Sequence, residues 1–200
     1  MKKLISLLAV LALVATAPKA SQAQLPQVLS LKGSVGGGYS FGTGDFKAGD
    51  NALSGFTYGG KLKLGLPLAP VKIVGFLNNT AFSATSSGVD FTTNIFGAGI
   101  GAEFELPLPV VSPYLALDVA LQSIKTTKPS EFDATNRTGL GLGIGAEFAI
   151  PLSPISIDVE AKYRFANLFG KQDATIAGVT FTEANINYIQ IMAHVVFTIL

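Results

Sequence analysis

From Gly139 to Ile150 the residues divide strictly by parity, with Leu140, Leu142, Ile144, Ala146, Phe148 and Ile150 on one side and Gly139, Gly141, Gly143, Gly145, Glu147 and Ala149 on the other. Successive side chains of a β-strand point to opposite faces, so this stretch has one wholly apolar face and one made of glycine and a charge. The same division recurs from 56 to 66, where Phe56, Tyr58, Gly60, Leu62, Leu64 and Leu66 oppose Thr57, Gly59, Lys61, Lys63 and Gly65. It recurs again from 155 to 165, where Ile155, Ile157, Val159, Ala161, Tyr163 and Phe165 oppose Ser156, Asp158, Glu160, Lys162 and Arg164. Runs of 11 or 12 residues exceed the usual strand of about five or six and match the roughly 9 to 11 residues that cross a bilayer at a tilt.

An internal repeat counts the strands. Gly-Leu-Pro-Leu-Ala-Pro at 65–70, Glu-Leu-Pro-Leu-Pro at 105–109 and Ala-Ile-Pro-Leu-Ser-Pro at 149–154 each close an alternating run. Proline cannot donate to a strand ladder, so each cluster ends one strand and lets the next begin. Between these tight turns lie polar connections near 43–54, 84–91, 125–136 and 169–186. Three short turns alternating with four longer loops define eight antiparallel strands.

Volume decides which face is inside. In a soluble barrel the bulky apolar residues of eight strands would crowd one bore while glycines faced water. The inverse arrangement packs: glycine and charge fit a narrow lumen, Leu, Ile and Phe meet lipid, and closure leaves no unpaired edge. Composition agrees, since charged residues make up only 14% of the chain against roughly 25% in an ordinary soluble domain. A helical membrane protein would need apolar runs of about 20 residues, and none is present. The chain has no cysteine, which excludes a disulfide framework, a thiolate nucleophile and a cysteine-bound metal.

Met1-Lys2-Lys3, the apolar run 4–17 and Ser21-Gln22-Ala23 have the order of a secretory signal, with cleavage expected after Ala23 and the mature barrel domain spanning 24–200. Removing Lys2, Lys3 and Lys19 leaves 11 basic against 13 acidic residues, a balance unsuited to nucleic acid. With both termini on the periplasmic side, Tyr39, Phe41, Phe56, Tyr58, Tyr163 and Phe165 are expected near the outer rim, and Phe104, Phe148 and Phe197 near the inner rim.

Signal, eight alternating strands, three tight turns and a chain that ends in a strand together resemble the small outer-membrane β-barrel family of the OmpA transmembrane domain and OmpX. The resemblance covers 24–200 and implies an eight-stranded up-and-down transmembrane barrel in a bacterial outer membrane. Lipid, lipopolysaccharide and the barrel-insertion machinery would be its partners, and a monomer is expected. In that family the last strand ends in an aromatic residue. Here the alternating set Ile189, Ile191, Ala193, Val195, Phe197 and Ile199 fits, but the final residue is Leu200.

Eight strands enclose only enough space for side chains. Inward parity collects the cations Lys32, Lys61, Lys63, Lys72, Lys162 and Arg164 and the anions Glu103, Glu105, Asp118, Glu147, Asp158 and Glu160. Unpaired buried charge is costly, so these groups are expected to pair as a plug in the half nearer the periplasm. Val74, Phe76 and Phe82 share the inward parity of Lys72, an apolar exception on the third strand. The outward half is expected to be lined by Gly36, Gly38, Gly97, Gly99, Gly101, Gly139, Gly141 and Gly143. These glycines either make room for long neighbours such as Arg164 or leave a water-filled vestibule.

Catalytic and metal chemistry finds little support. His194 is the only histidine, which removes a multi-histidine metal site, and by parity it points inward to a hydrogen bond in the polar core. Outer-membrane lipid-modifying barrels need a His with a Ser near the membrane surface, and no Ser adjoins His194 in the sequence. Glu103 with Glu105, or Asp158 with Glu160, could act as acid and base, but they are neighbours on one face of a narrow bore. Gly141, Gly143 and Gly145 are followed by no helix, so the phosphate-loop mechanism is absent. The loop charges Lys125, Lys128, Glu131, Asp133, Lys171, Asp173 and Glu183 are of mixed sign and define no ligand class. The reading is a non-enzymatic envelope barrel without cofactor or metal, whose loops make surface contacts. Its alternatives are a narrow-pore transporter, a lipid-modifying enzyme and a soluble periplasmic binding barrel.

Overall fold

The computed structural model describes residues 29–48, 50–66, 70–106, 108–128, 134–171, 173–176 and 179–199. The expected signal segment 1–23, its cleavage site and Leu200 lie outside the described residues. The strands are β1 (Ser30–Thr43), β2 (Lys47–Ala48), β3 (Asn51–Ala52), β4 (Ser54–Gly65), β5 (Val71–Ser86), β6 (Val89–Glu105), β7 (Val111–Lys128), β8 (Thr135–Ala149), β9 (Ile155–Phe169), β10 (Asp173–Ile176), β11 (Val179–Thr182) and β12 (Asn187–Thr198).

Eight of these close an antiparallel barrel in the order β1-β12-β9-β8-β7-β6-β5-β4. Closure is made by β1, which pairs with β4 from Ser30↔Gly65 to Phe41↔Ser54 and with β12 from Lys32↔Thr198 to Thr43↔Asn187. The remaining four strands form two small hairpins, β2–β3 and β10–β11, within the long connections at the end of the barrel opposite the proline turns.

The proline-marked turns fall at 66–70, 106–110 and 150–154, where sequence places them. The connection near 84–91 is different. β5 runs to Ser86 and β6 starts at Val89, so only Ser87 and Gly88 turn the chain, with φ of 51° and 78°. Two successive left-handed residues make the turn whose twist matches a hairpin, so a Ser/Thr/Gly-rich stretch that reads as a loop is mostly strand. β7 likewise continues to Lys128, into the connection expected to begin at 125.

The greasy side faces out. Leu142 and Ile144 are 48% and 63% exposed, while Lys61 and Glu147 are buried. The soluble-barrel alternative fails here, because it requires the reverse. Tyr39, Phe41, Phe56 and Tyr58 on one rim and Phe104, Phe148 and Phe197 on the other are all exposed on the outer wall. From Phe96 to Phe104, β6 climbs about 27 Å at ~3.4 Å per residue. At a tilt of roughly 40° this is about 20 Å along the barrel axis, near the ~25 Å apolar band of outer-membrane barrels.

Ile144 lies midway along β8 between the two rims. Ile144→Arg is expected to destabilise the barrel by about 2–4 kcal/mol, whereas Val110→Arg, at a turn, costs about 0–1 kcal/mol. Urea titration in phospholipid vesicles measures both; equal effects would mean that Ile144 does not face the bilayer centre.

Candidate functional site

The bore is filled in two layers of different chemistry. In the half nearer the proline turns, Lys63 Nζ lies 2.8 Å from Asp158 Oδ2 and 2.9 Å from Glu103 Oε2. Lys61 Nζ lies 2.9 Å from Glu160 Oε2 and 3.6 Å from Asp158 Oδ2. Tyr114 donates its hydroxyl proton to Asp158 Oδ1 at 2.6 Å, and its ring lies under the Lys63 ammonium. Lys162 bridges Asp118 Oδ2 at 2.8 Å and Glu160 Oε1 at 3.0 Å, while Arg164 Nη1 reaches Asp118 Oδ1 at 2.5 Å. Nearest the turns, Lys32 Nζ donates to Glu147 Oε1 at 2.6 Å, Ser156 Oγ donates to the same oxygen at 2.6 Å, and Lys72 pairs with Glu105.

The structure thus brings together all twelve charges that parity places inside, each within ion-pair distance of an opposite charge. The sequence explains why they meet. Of these twelve charges, β1, β4 and β5 carry only cations, β6, β7 and β8 only anions, and β9 both signs, so closing the barrel sets opposite charges face to face. Inside a low-dielectric wall such a network is stable only when every member is matched. The apolar exception on the third strand is real and useful: Phe76 presents its ring to the Arg164 guanidinium at 4.7 Å.

Glycine makes this packing possible. A Cβ on Gly141 would sit 2.6 Å from Asp118 Oδ1 and 2.9 Å from Arg164 Nη1, and one on Gly99 would sit 2.7 Å from Phe76 Cζ. The inward glycines therefore accommodate long neighbours, the first of the two readings, and among the described residues they leave no open vestibule.

What fills the other half is an apolar layer that sequence reasoning missed. Phe82, Ile95, Ile124, Ala166 and Tyr188 point inward and pack with Phe46 and Leu53 from the connection between β1 and β4. The Phe82 ring lies 4.9 Å from that of Phe46 and 5.1 Å from that of Tyr188. The signal was parity itself: Ile95 has the parity of Glu103, Ile124 that of Asp118, and Tyr188 that of His194. Between the layers, Ser40, Thr57 and Thr80 chain their hydroxyls at 2.7 and 2.8 Å. His194 is buried as expected, but its Nδ1 has no hydrogen-bond partner in the protein, contrary to the expected polar-core bond.

At the rim above the apolar layer, Arg137 grips Glu183 with Nη2 at 2.7 Å and Nε at 2.8 Å. Asn167 Nδ2 donates to the Ala184 carbonyl at 2.7 Å, and Asn185 Nδ2 donates to Asp45 Oδ2 at 3.3 Å. Lys171 pairs with Asn185. Residues Glu183 to Asn185 are thereby tied both to the wall and to Asp45 in the connection between β1 and β4. Lys128 lies 3.5 Å from Asp90 in an exposed pair. The Thr85 hydroxyl, then Lys128, holds the Asp90 carboxyl below its ordinary pKa. Glu131 and Asp133 lie outside the described residues, and Asp173 falls in β10.

A family model described as outer membrane protein beta-barrel domain matches residues 6–197. The chain belongs to that family. As an outer-membrane barrel it is similar in fold to several solved structures. Neisserial surface protein A superimposes with a TM-score of 0.60 at 14% identity, over 86% of this chain and 99% of that one. Ail, the attachment invasion locus protein of Yersinia pestis, gives 0.50 at 18% identity over 86% and 100%. The outer membrane protein AlkL, determined in lipid bilayers, gives 0.50 at 10% identity over 91% and 95%. At these identities the likeness speaks for the fold alone. No curated protein sequence matches the chain. For an outer-membrane barrel the proline turns face the periplasm and the long connections face outside.

Proposed function

We propose that this outer-membrane barrel is a closed, non-catalytic envelope component that spans the membrane as a monomer and makes its contacts through its extracellular connections. The observation that carries this reading is the doubly filled bore: ion pairs below, an apolar layer above. The larger concavities are grooves on the outer wall. One of about 680 Å³ is lined by residues such as Phe104, Leu115, Leu142 and Ile144, which face lipid. Within the bore, by contrast, a cavity of about 10 Å³ remains.

A solute would have to part both layers, and moving one partner out of a buried ion pair leaves the other uncompensated. This argues against a narrow pore. Purified protein in planar bilayers is expected to show no steady conductance above the lipid baseline. Large, stable open channels would overturn the reading.

The same geometry argues against a lipid-modifying enzyme. Ser34 and His194 lie diagonally on paired strands, since Gly36↔His194 and Ser34↔Val196 are in register. Yet Ser34 Oγ and His194 Nδ1 each lack a hydrogen-bond partner, so no Ser–His couple forms, and both residues are buried away from any substrate. Among the described residues no group of His, Asp and Glu is arranged to hold a metal ion. Lipid, lipopolysaccharide and the insertion machinery remain the partners this reading implies. Glu183, Ala184 and Asn185, held to Arg137, Asn167 and Asp45, offer a fixed surface for external contacts.

A further inference from the structure

The three proline turns carry a pattern that the closed bore does not account for. Residues 66–71, 106–111 and 150–155 read Leu-Pro-Leu-Ala-Pro-Val, Leu-Pro-Leu-Pro-Val-Val and Ile-Pro-Leu-Ser-Pro-Ile. Their only polar side chain is that of Ser153, whose Oγ accepts a hydrogen bond from the Ile155 backbone N–H at 3.1 Å. Turns that face water draw on Asn, Asp, Ser and Gly as well as Pro. The connection 44–53 at the other end does so, with Asp45, Lys47, Asp50 and Asn51.

Leu66, Leu106 and Ile150 continue the outward parity of Leu64, Phe104 and Phe148, and all three are exposed. Leu106 lines the same outer-wall groove, of about 660 Å³, as Phe104, Ile144 and Phe148. The greasy wall therefore runs past the inner aromatic ring without a break. At a rise of ~3.4 Å per residue and a tilt of roughly 40°, Ile150 lies about 5 Å beyond Phe148 along the axis. The headgroup layer on each side of a bilayer is roughly 5–7 Å deep, so this position falls inside it.

The tip of the third turn departs furthest from what water favours. Ser153 N–H donates to the Ile150 carbonyl at 3.2 Å, which makes Leu152 the third residue of a turn that begins at Ile150. Its φ is 61°, a left-handed value that a type II turn reserves for Gly or Asn. Leu152 thus sets its Cβ against the backbone, and its side chain is fully exposed. Both features are unfavourable in water, and apolar surroundings offset the second.

We infer that the three proline turns lie within the headgroup layer of the inner leaflet, with Leu152 among the lipids rather than in the periplasm. The occupant of this apolar end is phospholipid, because the surface is continuous with the wall that already faces acyl chains and carries no charge of its own. The inference rests on the barrel spanning the membrane, and the test separates the two.

The chain has no cysteine, so a nitroxide on a single introduced cysteine reports one position at a time. Leu152→Cys is compared with Ile144→Cys on the mid-wall and Ser87→Cys on the opposite hairpin, each folded into phosphatidylethanolamine and phosphatidylglycerol vesicles. Collision of the nitroxide with oxygen, relative to a water-soluble nickel chelate, is expected to be several-fold higher at 152 than at 87 and highest at 144. A ratio at 152 equal to that at 87 would overturn the inference alone; a water-like ratio at 144 would overturn the transmembrane reading and the inference with it. Leu152→Asn supplies a test of sign. Asn tolerates left-handed φ better than Leu, so relief of the backbone by itself raises the urea midpoint of unfolding from vesicles, whereas loss of lipid contact lowers it. A lower midpoint is expected, and an unchanged or higher one would overturn the inference. Heat-modifiable gel mobility checks that each variant folds, and should the labelled protein fail, the sign decides.

Discussion

Asp158→Ala is expected to cost the barrel about 3–5 kcal/mol, the range for breaking a buried ion pair from one side. Asp158 is fully buried and serves three groups: Lys63 at 2.8 Å, Lys61 at 3.6 Å and the Tyr114 hydroxyl at 2.6 Å. Removing it leaves Glu103 as the nearest anion to Lys63, and only a 3.3 Å contact to Glu160 for the Tyr114 hydroxyl. Asp158→Leu with Lys63→Met is expected to recover only part of the loss: it exchanges one buried pair for apolar groups, but leaves Glu103 with Lys61 at 3.8 Å and the Tyr114 hydroxyl with Glu160 at 3.3 Å. Breaking the exposed Lys128–Asp90 pair costs about 0–1 kcal/mol by comparison. Equilibrium urea unfolding in vesicles measures all of these. A loss for Asp158→Ala no larger than for the exposed pair would show that the network is hydrated and loosely held.

Phe82→Ala is expected to cost a similar amount, about 3–5 kcal/mol, by a different mechanism. Phe82 is fully buried at the centre of the apolar layer, with its ring against both Phe46 and Tyr188. Truncation removes contacts on both sides and opens a cavity that a closed wall of hydrogen-bonded strands cannot collapse to fill. The connection 44–53, anchored through Phe46 and Leu53, loses its seat as well. Limited proteolysis of intact cells or vesicles is expected to cut this connection faster in the variant, while urea unfolding reports the stability. Conductance is expected to stay at baseline, because the ion pairs below still close the bore. A channel appearing in Phe82→Ala alone would mean that the apolar layer, and not the charges, is the seal.

Much of this molecule is written in parity. An alternation of two reads directly as strand faces, and prolines at 67, 107 and 151 sit where ladders must stop. With eight strands the side of the greasy face is then a matter of volume, which is why Leu142 and Glu147 could be assigned to lipid and lumen from one dimension. The hairpin turn at Ser87–Gly88 was not legible in the same way. The residues that favour an open loop also favour left-handed φ in a tight turn, and composition does not separate the two.

The ion-pair network was half legible. Parity names its members, but which cation meets which anion depends on stagger between strands, and a shift of two residues preserves every face while changing every partner. The apolar layer was visible only as an isolated exception at Phe82. A rule that assigns polar residues inward treats inward Ile95, Ile124 and Tyr188 as noise, whereas the closed barrel brings them to one level.

The sequence by itself determined eight transmembrane strands, their inner and outer faces and the charged members of the bore, because these follow from local alternation and from a count of volume. The tertiary structure alone decided that the lumen is sealed twice and that Phe46 and Leu53 of the connection between β1 and β4 fold inward to complete the second seal. Those facts depend on register around a closed ring, where residues far apart in the chain reach the same height, and no local pattern encodes that height.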